Sequence, residues 1–134
     1  MTNLKGLRLA SAVTAIDVVV ASGFSIAAIV APHLLVASAT GHTEASLILA
    51  LYAAARTLPL ALFALIAISK RAVPALLLLG TLAGTMQLLD AVIGAYEGDV
   101  GKFAGPLFIG VLQFFATYRL YRSVTIVAAV SARS

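Results

Sequence analysis

ASLILALYAAARTLPLALFALIAIS, residues 45–69, carries one charged side chain, Arg56, in a run dominated by Ala, Leu and Ile. About 20 apolar residues suffice for a helix to cross a ~30 Å hydrocarbon core. Lys70 and Arg71 follow directly, and then a second run, AVPALLLLGTLAGTMQLLDAVIGA, residues 72–95. Two long apolar runs joined by a basic dipeptide read as a membrane-spanning helical hairpin.

On the N-terminal side, residues 9–31 form a third apolar run, closed by Pro32. Lys5 and Arg8 before it, and Ala37-Ser38-Ala39 after it, imitate a cleaved signal peptide. Signal cores are usually ~7–15 residues long. This run is longer and holds Asp17, so it reads as a retained helix. On the C-terminal side, residues 103–118 form a shorter fourth run. Arg119 and Arg122 suit it to snorkelling, and Tyr118 and Tyr121 to the membrane interface. The expected fold is an all-α, four-helix transmembrane bundle, with residues 1–134 as a single membrane domain.

Composition agrees. The chain is 62% hydrophobic and 10% charged, whereas soluble domains carry about a quarter charged residues. A soluble chain of this size has too little interior to hide so much apolar surface. There are no cysteines, which excludes disulfides, thiolate metal sites and cysteine nucleophiles. The net charge of +4 does not point to nucleic acid, because the basic residues sit in short runs between apolar segments. Lys5, Arg8, Lys70, Arg71, Arg119, Arg122 and Arg133 fall on one side of a four-span topology, and Lys102 alone on the other. The positive-inside rule then puts both termini in the cytoplasm.

The connections fit. Thr43 suits the cap of the second helix, with Glu44 in its first turn. Lys70-Arg71 makes a tight turn, Pro74 is tolerated in the first turn after it, and residues 97–101 read as an outer loop. Residues 34–39 are apolar but too short to cross. Residues 124–130 either prolong the fourth helix or fray. His33, His42 and Glu44 share one loop, but their spacing matches no zinc pattern, and loop polarity explains them.

In lipid, helices associate through small residues and interhelical hydrogen bonds. Such stripes run along the first span (Thr14, Asp17, Ala21, Ser25), the third (Gly80, Gly84, Gln87, Ala91, Gly94) and the fourth (Pro106, Gly110, Gln113, Thr117). In the second span, Tyr52 and Arg56 share a face. Packing accounts for the glycines and threonines. The charges need more, since a charge at mid-bilayer costs a few kcal/mol. At ~1.5 Å per residue from the basic end, Asp17 lies roughly 12 Å in, Arg56 about 20 Å and Asp90 roughly 27 Å. One of the two aspartates is the natural counter-ion of Arg56. Pro59 cannot donate to the carbonyl of Ala55, leaving a free acceptor beside Arg56.

Ala-Ala-Arg56-Thr-Leu in the second span, followed by Asp90 in the third, resembles the DoxX-like small four-helix bacterial membrane proteins, from Tyr52 to Arg122. That resemblance implies a multi-pass protein of a bacterial inner membrane and directs attention to Arg56 and Asp90. It supplies no reaction. A looser likeness, carried by the buried carboxylates, is to small membrane-bound terpene cyclases.

These residues suggest a cofactor-independent enzyme that isomerises or cyclises a lipophilic, isoprenoid-like substrate. Asp90 would be the acid or base and Arg56 its partner. Tyr52, Gln87, Gln113, Asp17 and Glu97 would bind substrate, with no metal. Two other readings compete: a proton-coupled exporter that dimerises through the glycine stripe of the third span, and a bundle in which an Arg56–Asp pair is only a staple.

Overall fold

The computed structural model describes residues 4–35 and 43–131. Among them are four long helices and no strand: α1 (Leu4–Val30), α2 (Glu44–Ser69), α3 (Val73–Glu97) and α4 (Val100–Ser131). A single 3₁₀ turn, Pro32–Leu34, follows α1. All four helices are long and apolar enough to cross a membrane.

The radial distribution of side chains is that of a protein dissolved in lipid. Ala64, Ala116, Thr14 and Gln113 are wholly buried, while Phe24, Phe63, Leu78, Leu89, Phe108 and Phe115 are at least half exposed. In water this arrangement would forfeit the hydrophobic effect. In lipid it lets backbones approach and satisfies polar groups inside. The chain is an integral, multi-pass membrane protein.

Helix ends follow local chemistry. Thr43 Oγ1 accepts from the Ser46 amide at 3.1 Å and Glu44 begins α2, as expected of a cap. Lys70 and Arg71 turn the chain directly into α3, whose first turn contains Pro74. At the opposite end Gly98 caps α3 with φ of 71°, a left-handed conformation that costs glycine little. Asp99 Oδ1 then accepts from the amides of Gly101 and Lys102 at 2.9 and 3.1 Å, starting α4. The loop expected over residues 97–101 is therefore only a turn.

The fourth span is longer than its apolar run. Arg119 and Arg122 do not end it; α4 continues through residues 124–130. Most of residues 34–39, together with His42 and Arg133, lie outside the described residues.

Around the bundle, α1 packs on α2 and α4, and α3 packs extensively along α4. Despite the tight turn between them, α2 and α3 touch more sparsely, and among the described residues the α2 backbone stays more than 8 Å from that of α4. The α3 stripe explains the close α3–α4 pairing. A Cβ at Gly94 would enter the backbone of Lys102, and one at Gly110 would sit 3.3 Å from the carbonyl of Gly84. These glycines are consumed inside the bundle, so the α3 stripe is not free to form the dimer interface that exporter activity would require.

Candidate functional site

The two halves of the bundle are filled differently. Toward the basic end, Leu7, Ala10, Leu76 and Leu120 pack as a closed apolar plug. Above it Gln113 donates to Thr14 Oγ1 at 2.7 Å, with Thr117 Oγ1 at 3.5 Å. Gly80 lies against this layer, where an added Cβ would meet Gln113 Nε2 at 2.6 Å.

Beyond this layer the interior opens into a cavity of about 620 Å³ to which all four helices contribute. From α1 come Asp17, Val18, Phe24 and Ser25; from α2, Arg56, Thr57 and Leu60. Helix α3 supplies Met86, Gln87, Asp90 and Ile93, and α4 supplies Lys102, Gly105, Pro106 and Ile109. The walls are mostly apolar and the polar groups few and convergent, as in small-molecule pockets of about 300–1,000 Å³.

Asp17 is the deepest charge, 1% exposed. Its Oδ1 accepts from Gln87 Nε2 at 2.5 Å, while Oδ2 is buried without a partner. Buried polar atoms are normally paired. A carboxylate held by one oxygen leaves the other available to exchange a proton with an occupant. Asp90, one turn along α3 from Gln87, lines the same cavity as Asp17. It is itself exposed on the open side of the cavity.

Four of the expected site residues, Asp17, Arg56, Gln87 and Asp90, thus meet on one cavity. The expected ion pair does not form. Among the described residues the salt bridges join Lys102 to Glu97 and Asp99, and Arg56 has none. Arg56 is exposed, because the buried stripe of α2 runs through Ala54, Thr57, Ala61 and Ala64. Its long side chain reaches the cavity from the flank.

Three expected substrate contacts do not line the cavity. Tyr52 shares the flanking face of Arg56 but is 61% exposed. Gln113 sits one layer below, where its Nε2 donates to Thr14 and Thr117 and its Oε1 is buried without a partner. Glu97 pairs with Lys102 at 2.5 Å, and Tyr96, needed to fold inward beside it, is 92% exposed. The residue at the mouth is Lys102 itself, which looks in sequence like part of a solvated turn. Thr57, which sequence reasoning missed, also lines the cavity; it lies three residues from both Ala54 and Leu60 on the buried stripe of α2, and its hydroxyl donates to the Ala53 carbonyl at 2.9 Å.

No protein-family model matches the chain, and neither does any curated protein or solved structure. The fold therefore defines the class, an integral four-helix membrane protein with an apolar-walled cavity in one half.

Proposed function

We propose that this is an intramembrane enzyme that moves a proton on a lipophilic substrate, by isomerisation or by the protonation that starts a cyclisation. The observation that carries the reading is the convergence of Asp17, Arg56, Gln87 and Asp90 on one apolar-walled cavity. Arg56 lacks a carboxylate partner, which favours a ligand-facing role over a staple.

In the isomerisation, one aspartate removes an allylic proton while the other delivers a proton to the far carbon of the double bond. The π electrons shift by one position, atoms and charge balance, and no redox partner is required. Arg56 holds a polar or anionic head group of the substrate and so positions the chain between the two carboxyl groups, and Gln87 orients Asp17. An isoprenoid chain in a bacterial inner membrane fits the apolar walls.

The test is solvent isotope exchange. Purified protein in lipid nanodiscs containing polyprenyl lipids is incubated in D₂O, and prenyl-chain deuteration is followed by mass spectrometry. Wild type is expected to incorporate deuterium, and Asp17→Asn and Asp90→Asn to lose incorporation. No exchange by wild type would sink the reading.

One observation favours a second reading, proton-coupled export: the cavity reaches Lys102 at one end and is closed by the Gln113 layer at the other. Export predicts substrate-driven proton flux in sealed vesicles, and any homo-oligomer it needs must pair through a face other than the α3 glycines.

A further inference from the structure

At the basic end, α1 and the α2–α3 turn enclose a groove of about 500 Å³, separate from the cavity above. Arg8, Ser11 and Arg71 give it a polar rim, and Ala12, Ala15 and Ile68 an apolar floor. The chain's acidic residues are Asp17, Glu44, Asp90, Glu97 and Asp99, and none lines it. Neither Arg8 nor Arg71 has an ion-pair partner among the described residues.

Spacing along α1 gives the groove a direction. Arg8, Ser11, Ala12 and Ala15 follow at helical intervals on one face. Ala15 lies about 10 Å further along the axis than Arg8, toward the bundle centre. The small side chains leave a channel that begins at two guanidinium groups and continues into hydrocarbon.

The backbone supplies an independent observation. Arg71 is the one non-glycine residue with positive φ among those described, at 50°. L side chains disfavour this conformation. The α3–α4 turn meets the same demand with Gly98. At the α2–α3 turn an arginine stands instead, at conformational cost, with its side chain on the groove.

We propose that this groove seats one anionic phospholipid. The phosphodiester lies between the Arg8 and Arg71 guanidinium groups and accepts from the Ser11 hydroxyl, while an acyl chain runs over Ala12, Ala15 and Ile68. Guanidinium forks match phosphate oxygens in geometry, and basic pockets between spans are a recurrent seat for acidic head groups. The positive-inside orientation places the lipid in the cytoplasmic leaflet, where acidic lipids and the basic end meet.

Native mass spectrometry of the full chain in detergent tests this, with phosphatidylglycerol and phosphatidylcholine of identical acyl chains and inorganic phosphate as probes. Phosphatidylglycerol is expected to be retained one per chain, in preference to phosphatidylcholine. Arg8→Gln and Arg71→Gly should each weaken that preference about fivefold. Arg71→Gly should meanwhile unfold no earlier in lipid-free detergent, because glycine relieves the φ of 50°. Arg119→Gln, at the same end but off the groove, should leave the preference intact. Equal retention of the two lipids overturns the proposal, as does binding of inorganic phosphate alone. An Arg119→Gln loss as large as that of Arg71→Gly would also overturn it, by showing a diffuse surface charge.

Discussion

The two halves of this bundle are made from the same helices, yet the interior of one is solid and that of the other hollow. Near the basic end, leucines from α1, α3 and α4 meet below a glutamine–threonine layer. In the other half α3 clings to α4 through glycines, while α2 stays clear of α4. Asp17, Arg56 and Asp90 occupy the space that results. In a lipid solvent, then, small residues decide where helices close, and charges collect where they do not.

The contrast is broken most severely at Gly94. Gly94→Ala drives a methyl into the Lys102 backbone, and backbone cannot give way as a flexible side chain does. A loss of about 3 kcal/mol is expected, read by steric trapping or thermal unfolding in detergent. Gly80→Ala meets side-chain ends alone, those of Gln113, Thr117 and Thr14, which can rotate, so about 1–2 kcal/mol is expected in the same assay. If the two substitutions cost the same, the α3–α4 approach is not governed by backbone contact.

Smaller effects sharpen the division of roles. Gln113→Leu removes the bond to Thr14 and should cost about 0.5–1.5 kcal/mol, without altering deuterium exchange rates in the cavity. A selective loss of exchange would return Gln113 to the site. Arg56→Gln should shift stability by less than about 0.5 kcal/mol, since no ion pair is broken, while exchange falls. Asp17→Asn keeps an acceptor for Gln87 and should leave the unfolding midpoint in place. Exchange should drop at least about a hundredfold, the usual scale for losing a general acid or base. Retained exchange with a lowered midpoint would make Asp17 a packing residue.

The interior stripes of α1, α3 and α4 were legible before any packing was known, because burial in a membrane selects small and polar residues at helical spacing. Thr14, Asp17, Ser25, Gly80, Gln87 and Gln113 are all buried. On α2 the same reasoning failed. Tyr52 and Arg56 do share a face, but that face flanks the true stripe by a fraction of a turn. Periodicity reports which residues lie together on a helix, not how far the helix is rotated toward its neighbours.

Length, apolar runs and the placement of basic residues were enough to specify four helices, though not the true ends of the fourth, since helix formation depends on local chain and solvent. Partner choice depended on the packing of all four. Gln87 takes Asp17, Gln113 takes Thr14, and Arg56 takes neither aspartate. Such pairings require the relative rotation and spacing of helices, which arise from the summed fit of many small contacts and leave no signature at any single position.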